Sequence, residues 1–265
     1  MLEPILEFIR TFFNGFLGGI VGGIILLLVK EHYFEKVVLE AVEPDFLRLK
    51  KSLRVFLKIQ NKGRTLAKDA MAYLTIKTDA DALTKLIPEK NKLEKSCKGL
   101  PGWNFWDYLT PRGAKIVTEA LPWTLPRDSV RGINEKPLRH LAYIPRNGYN
   151  KIALMDVYKV TYNNTKWYVL RIHAEYGTED YPRTIIAIPA TNPPIDRIEF
   201  EVLLTCANAR EENTERIEVL LRNSNLFIRF KGRDHNVSQQ LENLKEEDRC
   251  AKKVVEIVYK KISSG

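Results

Sequence analysis

The sequence predicts a mainly β protein on a membrane anchor. A single N-terminal transmembrane helix is followed by an antiparallel β-sandwich with a long aromatic insertion and by a C-terminal amphipathic α-helix. Three observations predict this. Phe12–Val29 (FFNGFLGGIVGGIILLLV) runs for 18 residues without a charge. Leu53–Gln60 (LRVFLKIQ) alternates apolar and polar residues with the period of a half-buried strand. Leu241, Leu244, Asp248, Ala251, Val255, Val258 and Ile262 recur at steps of three and four, the stripe of a helix.

The chain divides accordingly. Residues 1–11 flank the anchor, 12–29 form it, and 30–36 are juxtamembrane; 37–232 make the sandwich, with residues 79–135 inserted, and 233–265 make the helix. Residues 16–29 hold ten large apolar side chains and four glycines. On the insertion scale those ten contribute on the order of −3 to −6 kcal/mol. At 1.5 Å per residue the run spans about 27 Å, close to the ~30 Å hydrocarbon core. Met1–Arg10 is not basic, and no small-residue cleavage site follows, so the segment reads as an uncleaved signal anchor. Gly15, Gly18, Gly19, Gly22 and Gly23 form three pairs four residues apart, a spacing that clears a helix face for self-association. Arg10 on one side against Lys30, Lys36, Arg48 and Lys50 on the other favours a cytoplasmic body over an external one.

The anchor segment, residues 1–29, carries Arg10 against Glu3 and Glu7, a net −1; the whole chain carries +9, so the body carries +10. That excess suits membrane lipid. No basic run exceeds a few residues, and nucleic acid is not an expected partner. Cys97, Cys206 and Cys250 form no CxxC. Their odd count argues against a disulfide framework and favours a reducing compartment, with one bridge plus one free thiol left open.

Within the body, Val37–Val42 reads as a first strand stopped by Pro44. Leu53–Gln60 and Ala70–Lys77 flank the turn Asn61-Lys62-Gly63-Arg64. This pair, with Ile59, Asn61, Gly63, Ala67 and the Leu53-Val55-Leu57 alternation, resembles domains of the CARDB kind and the late-embryogenesis-abundant type 2 sandwiches, over about residues 53–77. The resemblance implies an immunoglobulin-like sandwich and an adhesion or accessory role without chemistry. Further strands are expected at 152–162, 166–174, 184–189, 198–204, 217–221 and 226–230, eight or nine in all. Asn163-Asn164 makes a hairpin turn. Ser238 is the expected N-cap of a single helix from Asp234 to Ile262.

The insertion starts with an amphipathic piece, Asp81–Lys95, then gathers Trp103, Phe105, Trp106, Tyr108 and Trp123 among prolines. Such rings close the end of a sandwich, rest at a bilayer interface, or wall a ligand site.

No catalytic, cofactor or metal motif is present: the four histidines are isolated, and there is no P-loop or nucleophile elbow. His173 and Glu175, two apart on one strand, share a face. The expected function is a single-pass, membrane-anchored, non-enzymatic binding or envelope-associated module for an unknown protein partner. The alternative is a membrane-tethered enzyme or small-ligand receptor with a pocket built on the Trp-rich insertion.

Overall fold

The computed structural model describes residues 3–29, 37–97, 118–120, 123–124, 142–173, 183–209, 212–244 and 246–264. In chain order the elements are α1 (Glu3–Val29), β1 (Leu39–Arg48), β2 (Leu53–Asn61), β3 (Ala67–Lys77), α2 (Ala80–Leu86), α3 (Lys90–Cys97), β4 (Thr118–Ala120), β5 (Trp123–Thr124) and β6 (Ala142–Ile144). They continue with β7 (Tyr149–Tyr162), β8 (Thr165–His173), β9 (Arg183–Pro189), β10 (Arg197–Thr205), β11 (Asn213–Arg222), β12 (Asn225–Phe230), β13 (Arg233–Asn236), α4 (Val237–Glu242) and α5 (Arg249–Ser263).

The strands form two antiparallel sheets. One runs β1-β2-β7-β8-β9, with β5 beside β7; the other runs β13-β12-β11-β10-β3-β4, with β6 beside β3. Alternate residues of the central strands point into one core between them: Leu53, Val55, Leu57 and Ile59 from β2, Tyr168, Leu170 and Ile172 from β8, and Phe200, Val202 and Leu204 from β10. The chain is mainly β in antiparallel sheets, as expected, and two sheets sharing a core are consistent with a β-sandwich-like fold. The strands that flank Asn61 lie in different sheets, so the turn 62–66 carries the chain from one layer to the other.

A second apolar layer was not expected. The far face of the β1-β2-β7-β8-β9 sheet presents Tyr158, Val160, Trp167, Val169, Ile185 and Ala187. Leu93 and Cys97 of α3 and Cys250, Ala251, Val254, Val255 and Val258 of α5 cover them. This is why β7 and β8 read as nearly continuous apolar runs: their middles are buried on both faces. The far face of the other sheet is polar. There Arg216 reaches Glu199 at 2.6 Å and Glu218 at 3.2 Å, and Lys77 pairs with Glu201.

Three local differences have physical causes. β1 passes through Pro44 rather than ending before it; as an edge strand it can tolerate the missing N–H, and a bulge lies at Ala41/Glu43. The amphipathic piece of the insertion is two short helices, parted by Ile87, Pro88 and Glu89. The expected single helix over 234–262 is instead a strand and two helices. Asp234 is held by Arg229 at 2.6 Å and Arg222 at 3.0 Å, so the chain completes a hairpin through Lys231 and Gly232, at φ 47° and 77°. Asn236 and Asp248 cap the two helices; the Asp248 carboxylate accepts from the N–H groups of Cys250 and Ala251 at 2.9 and 3.0 Å. Ser238 is not a cap. It is buried, its hydroxyl 2.5 Å from that of Tyr168, and it accepts from the Leu226 N–H at 2.6 Å.

Among the described residues no helix is long and apolar enough to cross a membrane. The side chains of Phe12, Phe13, Leu17, Leu28 and Val29, all within α1, lie outside the described residues.

Candidate functional site

Two places in the body concentrate polar chemistry. The first is the end of the sandwich at which β1 begins. Asn61, fully buried, ties it together. Its side-chain amide donates to the carbonyls of Thr65 at 2.7 Å and Ile144 at 2.9 Å, while its side-chain oxygen accepts from the Gly63 N–H at 2.9 Å. Its backbone N–H donates to Gly148 O at 3.0 Å, and its carbonyl accepts from the Asn147 N–H at 2.9 Å. Lys62 N–H donates to Val38 O at 2.8 Å, which fixes the point where the chain enters β1. Asn208 completes the knot by accepting from Lys68 N–H and donating to Leu66 O. Gly148 is required in this turn, because a Cβ there would stand 2.6 Å from the Pro145 ring.

The second place is a buried charged row on the helix-covered sheet. Arg54, Asp156 and Arg171 are register partners on β2, β7 and β8. Asp156 is fully buried, accepts from Arg54 Nε at 2.7 Å, and pairs with Arg171. The Arg171 guanidinium also lies 5.5 Å from the Tyr158 ring centre. His173 Nε2 stands 3.1 Å from Asp156 Oδ2, within ion-pair distance but not aimed for a hydrogen bond.

Burial favours protonation of the Asp156 carboxyl, but His173, Arg171 and Arg54 outweigh it and hold the group well below the usual carboxylate range. Burial, reinforced by the two guanidiniums and opposed by Asp156, drops His173 to about 4. At neutral pH the row is therefore an ionised aspartate between two arginines, beside a neutral imidazole.

A pH dependence follows. Between about 4 and 6.5 the unfolded imidazole takes a proton that the folded one refuses. His173 thus leaves stability intact above pH 6.5, and stability falls as pH drops toward 4, by up to roughly 3 kcal/mol. Denaturant midpoints in detergent at several pH values should show this slope, and His173→Gln should flatten it. An unchanged slope in the variant would count against a buried neutral imidazole. The Asp156 contribution lies in a separate window, below the ordinary aspartate range.

The helical layer is stapled. Cys97 of α3 and Cys250 of α5 form a disulfide, Cα to Cα 5.6 Å, and Cys206 is a buried free thiol. Burial raises the pKa of that thiol, so it is a poor nucleophile.

The sequence candidates fall as follows. Gly15, Gly18, Gly19, Gly22 and Gly23 all lie on α1, each with open space where a Cβ would stand. Trp103, Trp106 and Tyr108 lie outside the described residues, as do His140 and Glu175. The backbone of Trp123 is in β5 and pairs with Ile152 of β7, three residues from the last β8 partner, Met155; its side chain is outside the described residues. The charged row went unread, although a signal existed. Asp156 interrupts the apolar run Ile152–Tyr158 and Arg171 the run Trp167–Ile172, where a charge needs a partner. Among the described residues no group of three or more His, Cys, Asp or Glu could hold a metal ion. No family model matches the chain, and neither does any curated protein or solved structure.

Proposed function

We propose that the chain is a single-pass membrane protein that holds a non-enzymatic binding or envelope-associated β-sandwich beside the bilayer. The observation that carries this reading is the bare surface of α1. Phe16, Ile20, Val21, Ile24, Ile25, Leu26 and Leu27 are all exposed on a 27-residue helix. Water does not stabilise such a surface, whereas lipid favours those seven by about 2–4 kcal/mol on the insertion scale. Adding the uncharged residues on either side restores the 18-residue span of Phe12–Val29. The open glycine face leaves room for a second α1, so a homo-oligomer through this helix belongs to the same reading.

Binding is favoured over catalysis because the buried Arg54–Asp156–Arg171 row is committed internally: Asp156 is ionised against arginines and His173 is a weak base at neutral pH. The crossing between sheets at Asn61 supports an immunoglobulin-like description of the sandwich. The Cys97–Cys250 bridge supports a body on the oxidising side of the membrane, where disulfides persist. The charge-based reading, which rests on a difference of a few basic residues, favours the opposite, cytoplasmic side.

Carbonate extraction and flotation test the anchor. The chain should stay with membranes at alkaline pH and float with vesicles. Recovery in the supernatant as a monodisperse species without detergent would overturn the reading. Protease added to intact cells should digest the body; full protection would place it in the cytoplasm.

A further inference from the structure

Among the described residues, the large hydrophobic side chains exposed outside α1 are Leu66, Tyr143 and Tyr149, at 39%, 62% and 44%. They are not scattered. Leu66 is in the sheet-crossing turn, Tyr143 is on β6 beside the start of β3, and Tyr149 is the first residue of β7. All three ring the end that Asn61 ties together, where β1 begins. Lys62, Arg64, Lys68 and Arg146 are exposed in or beside the same turns, and Lys58 lies over the Tyr149 ring at 4.7 Å. Among the described residues the acids nearby are Glu40, Glu43, Asp69, Glu212 and Glu215; Glu40 is paired with Lys62 and Lys231, Glu43 with Lys58, and Glu215 with Lys231.

The chain enters the body from α1 at this end, through β1. Leu39 follows Val29 by ten residues, so a fully extended connection reaches at most about 36 Å. The far end of the sandwich lies a further strand length away: β7 has 14 residues, about 45 Å. Tyrosine with lysine and arginine is the composition that settles at a bilayer interface. The ring enters the headgroup boundary while the cation reaches lipid phosphate. Near balance of charge fits contact with phosphodiesters of ordinary phospholipid rather than dependence on a strongly anionic surface.

We propose that this end of the sandwich, through Leu66, Tyr143 and Tyr149 with their basic neighbours, docks on the phospholipid surface into which α1 inserts. The docking rests on the anchored reading above. It sets the sheets upright on the membrane, with the β7–β8 and β11–β12 turns facing outward.

Full-length protein with Cys206→Ala is reconstituted into phosphatidylethanolamine–phosphatidylglycerol vesicles. A fluorophore is attached at Tyr143→Cys, at Arg146→Cys, or at the control Thr161→Cys, which lies about 40 Å up β7. The quencher is a lipid carrying a nitroxide near its headgroup. Labels at 143 and 146 should be quenched at least about threefold more than the label at 161. Equal quenching at the three sites, in protein that floats with the vesicles, would overturn the docking and leave the anchor standing. Failure to float would remove the anchor itself. Two proximal sites guard against misfolding of either variant.

Discussion

Asp156→Ala is expected to destabilise the body by about 3–5 kcal/mol, the usual cost of removing one member of a buried ion cluster. The carboxylate is fully buried and shared by Arg54 and Arg171, which lie beside it on both neighbouring strands. Without it two guanidiniums remain in a poorly solvated row and repel each other. For a body of this size the loss corresponds to roughly 6–20 °C in Tm. Thermal unfolding in detergent, followed by near-ultraviolet circular dichroism, measures it. The matching control replaces the row together: Arg54→Met, Asp156→Leu and Arg171→Met. If the cost of the single change is uncompensated charge, the triple variant should recover most of the loss. A single variant within about 1 kcal/mol of the native protein would show that the carboxylate does not hold the row together.

Breaking the Cys97–Cys250 bridge is the second large effect. It joins residues 153 apart, and the chain-entropy relation for that loop gives about 5 kcal/mol. Measured losses for native bridges fall at about 2–5 kcal/mol, and that range is the expectation for the Cys97→Ala/Cys250→Ala double variant. The loss should appear first where the bridge acts. α3 docks through Leu93 and Cys97, whereas α5 keeps Val254, Val255 and Val258 against the sheet. Amide exchange should therefore accelerate in α3 more than in β7 or β8. Native protein titrated under denaturing, non-reducing conditions should show one thiol, Cys206. Three thiols, or a Tm indifferent to reductant, would contradict the staple.

Strands such as β2 and β10 were legible because apolar and polar residues alternate along them. Leu53–Gln60 shows its alternation plainly, and Asn163-Asn164 makes its turn with both residues at positive φ, 49° and 58°, as a tight hairpin needs. The strands expected at 152–162 and 166–174 are β7, Tyr149–Tyr162, and β8, Thr165–His173, but their outer burial was not legible, since an apolar residue does not say which layer covers it. That cover comes from α3 and α5, far apart in sequence. The bridge was equally hidden: spacing gives cysteine partners only when a motif fixes them, and these two meet only after both helices dock. At the C-terminal end periodicity was right from Ala251 onward. Before that, Asp234 is claimed by Arg229 of β12 and Arg222 of β11, a tertiary preference that helix propensity cannot carry.

The distance along the chain between Cys97 and its partner also has a consequence for biogenesis. At ribosomal speeds of about 5–20 residues per second, the earlier sulfhydryl waits roughly 8–30 s for the later one to be made. During that interval it is open to capture by other thiols, Cys206 among them, which is synthesised first. On the proposed reading, with the body on the oxidising side, high-yield production calls for a host that reshuffles mispaired cysteines, and scrambled dimers are the contaminant to look for.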